Sequence, residues 1–350
     1  MSLVKSLLYI VKFIKLCYVS DFFKLKKYAV ENIFIEENYM VSLLTICNKI
    51  KSIMKMNNLT NQRQVFFQKD GRSADHIEGQ GFNLQNIAKD MKSAQDQNRQ
   101  IVPFTSWIKD FGNTEAYAVA NMIHKMRMNE GAKQIGRKIG FTNSEMWSVY
   151  GVHEPIWAYI YDTTVVRLNS QNTKCHIGRF SEPKIEPEVV LHFCSTPSFD
   201  AKPTEILNCI DWIAHGIEIV QSHFPGWKFQ TADTIADSGL HAMLIIGEPQ
   251  KVSYLGPRVI SDLESFNITL SCDGDFREQG SGSDVLGSPI RAVAHLLKVI
   301  AKHPEASSLQ PGELVTTGTL TTALSINAGQ NWTTNLKGIK LPGISITFEI

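Results

Sequence analysis

The sequence predicts an α+β protein, mostly β, with a smaller helical region toward its N-terminus. Three observations predict it. Short runs in the second half alternate apolar and polar residues, most plainly where Ile344, Ile346, Phe348 and Ile350 share one face and Ser345, Thr347 and Glu349 the other. Helical stripes interrupt these runs irregularly rather than in βαβ alternation, and no internal repeat is present. The composition, 43% hydrophobic and 20% charged over 350 residues, is that of a globular chain with a sizeable core and about two domains. Disordered, collagenous and membrane-spanning classes are excluded on the same ground.

In chain order, residues 1–56 form a basic extension, read as lying outside the functional domain. It holds nine Lys and no Arg against four acids, which leaves the rest of the chain at a net −4. Lys5, Lys12 and Lys15 interrupt its apolar opening, so it neither spans a bilayer nor makes an ordinary signal peptide. Leu8, Ile10, Val11, Ile14 and Val19 roughly follow helical spacing, and a membrane-surface helix stays open beside an inert extension or a start at Met54 or Met56. Residues 57–135 form a polar and helical N-terminal region. It opens with loops and one or two exposed helices, followed by a stripe of Ala116, Val119, Ala120, Ile123 and Met126 capped at Asn113 or Thr114.

Residues 136–350 form a third region, of mixed texture. Ile185 to Leu191 reads as a strand, and Ile206, Ile210 and Ile213 as a helix that stops at Gly216. Ile217 to Val220 is a short β run. Phe266, Ile268 and Leu270 lead to a hairpin turn at Asp273-Gly274. Ser288-Pro289 opens a helix carrying Val293, Leu296, Leu297 and Ile300.

Charge and cysteine usage narrow the function. With 35 Lys and Arg against 34 acids, the whole-chain field favours neither nucleic acid nor membrane as partner. Six Cys without a CxxC point to a reducing, cytoplasmic setting rather than to a disulfide framework or a zinc site. Several signatures fail. Gly131 to Lys138 resembles a phosphate-binding loop, but Arg137 stands where that motif needs Lys. No GxSxG or HExxH occurs, and the Gly280–Gly287 spacing is not that of a dinucleotide fingerprint.

The informative segment is Ile185-Glu186-Pro187-Glu188. Residues two apart on a strand project from one face, so Glu186 and Glu188 point at one spot and repel unless a cation or proton lies between them. A solvated surface strand also carries Glu-x-Glu, and that reading stays open here. Pro187 suits an edge or irregular strand. Glu218, between Ile217 and Ile219, is a third acid in an apolar β run. Three carboxylates make an all-oxygen site suited to Mg²⁺ or Mn²⁺.

Seven segments then occur in an order that resembles the fumarylacetoacetate hydrolase superfamily, in its 2-keto-4-pentenoate hydratase and 4-oxalocrotonate decarboxylase branch. They are Gly136 to Thr142, Glu154-Pro155, Ile185 to Glu188, Gly216 to Val220, Asp233 to Asp237, Ser283 to Pro289, and Pro311 to Leu314 with Thr317 to Thr321. The resemblance covers Asn113 to the C-terminus and implies a mixed-sheet roll as the catalytic fold. It implies Mg²⁺ or Mn²⁺ held by Glu186, Glu188 and Glu218, a small 2-oxo acid as substrate, and Lys138 beside it with a pKa lowered by the cation. It assigns Thr319 to the substrate carboxylate. The implied activity is that of a lyase of aromatic catabolism, hydrating a 2-oxo-4-enoic acid. Decarboxylation of 2-oxo-3-hexenedioate and C–C hydrolysis of an acylpyruvate are the alternatives. By analogy the chain forms a homo-oligomer, or a hydratase–decarboxylase complex.

One departure bears on the reaction. Hydratases of this branch carry an Asp after Glu-Pro that helps position water, whereas Ile156-Trp157 follow Glu154-Pro155 here. The departure puts hydration in question and motivates a second class, a catalytically silent scaffold or partner subunit. Glu154 reads as a surface acid rather than as a substitute. His192, His215 and His241 flank these segments and read as core or supporting residues rather than metal ligands.

Overall fold

The computed structural model describes residues 82–144, 147, 152–168, 172–303 and 305–350. The basic extension 1–56, and the polar stretch as far as residue 81, lie outside the described residues.

Two helices come first. In α1 (Leu84–Asp96), Asn83 Oδ1 accepts from the Gln85 N–H at 2.9 Å, while Ile87, Ala88, Met91 and Ala94 recur on the buried face. In α2 (Asn113–Asn129) the helix begins at Asn113, but the cap is Gly112 rather than Asn113 or Thr114. The Glu115 carboxylate reaches back to accept from the Gly112 N–H at 3.0 Å. The mixed region follows as β1 (Gln134–Gly140), β2 (Ile156–Tyr161), β3 (Val165–Arg167), β4 (Asn172–His176), β5 (Lys184–Phe193), α3 (Pro203–Asn208), β6 (Ile210–Val220), α4 (Thr231–Ala236), β7 (His241–Ile246) and β8 (Gln250–Lys251). After it come α5 (Val252–Leu255), α6 (Val259–Ser265), β9 (Asn267–Cys272), β10 (Asp275–Ser281), α7 (Pro289–Ile300), β11 (Leu314–Thr316), β12 (Leu324–Ser325), β13 (Asn331–Lys337) and β14 (Ser345–Glu349).

The strands form two mixed sheets. The larger runs β2-β1-β11-β5-β6-β7-β3, with β12 added to β5 and β8 to β6; the smaller runs β10-β9-β13-β14-β4. One face of the larger sheet packs Val189, Leu191 and Phe193 against α7, and Ile185, Ile217 and Ile219 against Leu270, Trp332, Ile346 and Phe348 of the smaller sheet. The opposite face carries the carboxylates. Behind β1 and β2, α1, α2 and α4 form a separate apolar layer that includes Phe104, Ile123, Phe224 and Ile235.

The α+β class, the Asp273-Gly274 turn at φ 54° and 86°, and the Ser288-capped α7 agree with the sequence reading. Four local expectations do not. Ile206 lies on α3, but Ile210 and Ile213 belong to β6, which also absorbs the short run Ile217 to Val220. The helical spacing of those isoleucines coincides with a β-branched strand buried on both faces. The last half holds five described helices rather than two. Ile350 is 90% exposed, because β14 ends at Glu349. Pro187 sits on an interior strand. Its carbonyl accepts from the Leu320 N–H at 2.8 Å, so its ring nitrogen faces the turn that bridges β11 and β12, where no ladder donor is required.

Arg137, fully buried on β1, faces its cross-strand partner Tyr159 on β2 and reaches Glu313 just before β11. Its guanidinium lies 4.6 Å from the Tyr159 ring centroid and pairs with Glu313 Oε1 at 3.0 Å. Arg137→Met strands the Glu313 carboxylate in the interior and is expected to lower stability by about 3 kcal/mol in urea titrations. A loss under about 1 kcal/mol shows that water reaches Glu313.

Candidate metal centre

β5 and β6 build the site directly. In an antiparallel register that pairs Glu186 with Glu218 and Glu188 with Gly216, the pleat aims Glu186, Glu188 and Glu218 to one side. One carboxylate oxygen from each lies within 4.8 Å of the other two. Glu188 and Glu218 are fully buried, and Glu186 is half-buried at the wall of a cavity of about 280 Å³. Lys138 enters from β1, two strands from β5, and its Nζ is 3.0 Å from Glu218 Oε1.

Supporting groups fix these carboxylates. His241 Nδ1 lies 2.6 Å from Glu218 Oε1, and its Nε2 lies 2.8 Å from Thr164 Oγ1. The Gly318 N–H donates to Glu188 Oε2 at 2.8 Å. Gly318 has φ 96°, and a Cβ there would meet Thr142 Oγ1 at 1.9 Å, so this approach requires glycine. Gly239, at φ 63°, passes close to the Lys138 stem, where a Cβ would lie 3.2 Å from Cδ. Phe141 (φ 55°), Trp227 (φ 59°) and Leu240 (φ 63°) line the cavity in the left-handed region, which concentrates backbone strain around it.

The electrostatics follow from this crowding. Burial pushes the Glu186 carboxyl up to about 7; Lys138 and Lys184 oppose the rise and Glu218 adds to it. Burial, then Glu218 and Glu186, holds Glu188 well above the usual carboxylate range. Burial acts the same way on Glu218, but Lys138 and His241 outweigh it and bring the carboxyl down to about 2. For Lys138, burial would lower the pKa, and the three carboxylates outweigh burial and raise it. The lowered Lys138 pKa expected from the sequence is therefore not a property of these side chains by themselves; it needs a cation to offset the acids.

The donor set fits a hard divalent cation. Glu188 Oε1 and Glu218 Oε2 are buried without a hydrogen-bond partner among the described residues. Buried carboxylate oxygens left unpaired are costly, and a cation between three of them satisfies both oxygens and relieves the repulsion.

The other expected residues are more scattered. Thr319 lines the cavity, but its hydroxyl donates to the Thr321 carbonyl at 2.9 Å. Glu154 pairs at the surface with Lys302, outside the cavity wall, while Ile156 presents an apolar side chain to that wall. His215 is a core residue between the Glu188 carbonyl and Thr334 Oγ1, and His192 pairs with Asp211. Sequence reasoning missed Lys184 and Trp227, both on the cavity wall. Lys184 was findable, because it shares the strand parity of Glu186 and Glu188. Among the described residues no helix is long and apolar enough to cross a membrane.

Comparisons with known proteins bear on this arrangement. The model of the fumarylacetoacetate (FAA) hydrolase C-terminal family matches residues 147–341. A 4-oxalocrotonate decarboxylase from Pseudomonas sp. is 27% identical over 215 residues, covering 61% of this chain and 79% of that protein. A 2-keto-4-pentenoate hydratase from Paraburkholderia xenovorans is 26% identical over 258 residues, covering 73% of this chain and 91% of that protein. Among solved structures, 4-oxalocrotonate decarboxylase from Pseudomonas putida G7, complexed with magnesium and adipate, superposes with a TM-score of 0.69 at 23% identity. That match covers 76% of this chain and 97% of the other, and shows the same fold. With more than half of its length matched by the family model, and its carboxylate-bearing strands inside the match, this chain belongs to the fumarylacetoacetate hydrolase family.

Proposed function

We propose that the protein is a divalent-metal-dependent lyase that hydrates a 2-oxo-4-enoic acid. The observation that carries this reading is the convergence of Glu186, Glu188 and Glu218 with Lys138, in a cluster from which Glu186 and Lys138 reach the wall of one cavity. The lyase class accords with curated relatives named as hydratases and decarboxylases. Glu186, Glu188 and Glu218 would hold Mg²⁺ or Mn²⁺, which would supply Lewis-acid stabilisation to negative charge on a 2-oxo acid. In this reading Lys138 Nζ gives and takes the proton at the reacting carbon; its burial at the cavity wall, where Gly239 packs close to its stem, supports that role. His241 keeps the Glu218 carboxylate oriented and ionised. Thr319 belongs to the turn whose Gly318 N–H already holds Glu188, and its backbone offers polar groups to a substrate carboxylate.

Ile156 favours a second reading, decarboxylation of a 2-oxo-enedioate. An apolar wall at that point directs no water, and decarboxylation needs none to be directed. The products separate the two. Hydration of a 2-hydroxydienoate consumes water and gives a 4-hydroxy-2-oxo acid with no CO₂. Incubation with Mn²⁺, following ultraviolet absorbance and CO₂ together, is expected to show loss of the diene without gas. Stoichiometric CO₂ from 2-oxo-3-hexenedioate moves the assignment to decarboxylation.

Metal affinity is expected to depend on pH. The proton that Glu186 holds up to about 7 must leave before its oxygen binds a cation, so affinity rises with pH. Displacing that proton strengthens Mn²⁺ binding about tenfold between pH 6 and pH 8, measured by calorimetry, and the proton that burial also holds on Glu188 steepens the rise. A flat profile would remove Glu186 from the ligand set.

A further inference from the structure

Among the described residues that line the cavity, Lys184 is the cation to which the proposed chemistry gives no role. It precedes Glu186 by two residues on β5, so its side chain stands on the carboxylate-bearing face, one pleat repeat away, and it lines the same cavity. Its Nζ lies 3.8 Å from the centroid of the Trp227 ring, and among the described residues no carboxylate comes within ion-pair distance of it. The loop that supplies the ring is pinned. The Trp227 indole N–H donates to the Glu182 carbonyl at 3.1 Å, and the Gly226 N–H to Glu182 Oε1 at 3.0 Å. An indole face attracts an ammonium and shields one side of it, so the other side is left to meet an anion.

We infer that Lys184, positioned by Trp227, binds a carboxylate at the far end of the substrate, and that this carboxylate is retained in the product. The inference rests on the 2-oxo acid reading above and names its tail group. Lys184 and Glu186 stand two residues apart on one face, about 6.6 Å along the strand, which is the length scale of an extended chain of about six carbons. The substrate class is therefore a 2-oxo-enedioate rather than a monoacid with an apolar tail. Retention follows from charge. When a 2-oxo-3-hexenedioate loses CO₂, the tail carboxylate is the one that leaves: the bond to it breaks, and its electron pair flows through the C3–C4 double bond to the 2-oxo oxygen. An ammonium paired with that carboxylate stabilises it in the ground state and loses the interaction as charge moves away, so the pairing opposes decarboxylation. Hydration leaves the tail anion untouched.

The test uses two saturated acids of equal length that share the head and cannot react, 2-oxoadipate and 2-oxohexanoate. Each is titrated calorimetrically into the Mn²⁺-loaded full chain. Wild type is expected to bind 2-oxoadipate at least about tenfold more tightly, as a charge-assisted contact provides. Lys184→Met should bring that ratio to about one, while Lys184→Arg keeps most of it. Equal binding of the two acids by wild type, or a preference that survives Lys184→Met, overturns the inference and leaves the head-group reading standing. Loss of all Mn²⁺-dependent binding of both acids overturns both. In parallel, turnover of an unsaturated 2-oxo-enedioate by wild type should release no CO₂, and CO₂ release overturns retention of the tail.

Discussion

Glu188→Gln is expected to bind Mn²⁺ at least about 10²-fold more weakly than wild type and to turn over at least about 10³-fold more slowly. The substitution preserves shape and an acceptor for the Gly318 N–H, but removes the charge that a cation needs. Its effect on folding has the opposite sign. In the metal-free protein Glu188 is a buried carboxyl facing Glu186 and Glu218, with one oxygen unpaired, and folding must either protonate it or hold its charge against theirs, a cost that the neutral amide does not carry. The metal-free variant should therefore melt no lower than metal-free wild type. Mg²⁺ should raise the melting temperature of wild type and leave that of the variant unchanged, since only a ligand that binds the native state stabilises it. Glu188 is a cleaner target than Glu218, whose removal also strands Lys138 and His241. Mn²⁺ affinity within twofold of wild type in Glu188→Gln would falsify the three-carboxylate site.

The site was partly legible in the sequence because a strand has a period of two. That period alone puts Glu186 and Glu188 on one face, and it puts Lys184 there as well. What the period does not carry is register. Glu218 faces Glu186 only because β5 and β6 pair as Lys184 with Val220 and onward, a match set by the whole buried face of two long strands. Lys138 is more remote still. It reaches the cluster because β1 pairs in parallel with β11, and β11 pairs with β5, so no local pattern near Lys138 announces a carboxylate. Helix α4 was missed for a related reason. All six of its residues are buried, Asp233 included, so it carries no amphipathic stripe. Its burial of Asp233 is tolerated because the carboxylate accepts from the Thr105 N–H and hydroxyl and from the Gln230 N–H. Pro187 misled in the other direction: it signalled an edge, and the edge turned out to be a local gap beside an interior strand.

Lys138→Met should separate catalysis from metal binding more sharply than any other single change. Turnover is expected to fall by about 10²- to 10⁴-fold, the range for loss of a positioned proton-transfer group. Mn²⁺ should bind at least as tightly as in wild type, because a buried ammonium 3.0 Å from Glu218 repels a second cation. The metal-free variant should be less stable, since removing Lys138 leaves Glu218 buried with only His241 to compensate it, and breaking such a pair costs about 3 kcal/mol or more. Mg²⁺ should recover that loss, since the cation replaces the missing positive charge. Two substitutions then distinguish proton transfer from a fixed field. Lys138→Arg keeps the charge but does not give up a proton near neutral pH, so it should resemble Lys138→Met in turnover if Nζ moves a proton. If Lys138→Arg turns over within about tenfold of wild type, the residue acts through its charge alone, and the proton must be exchanged with water admitted to the cavity.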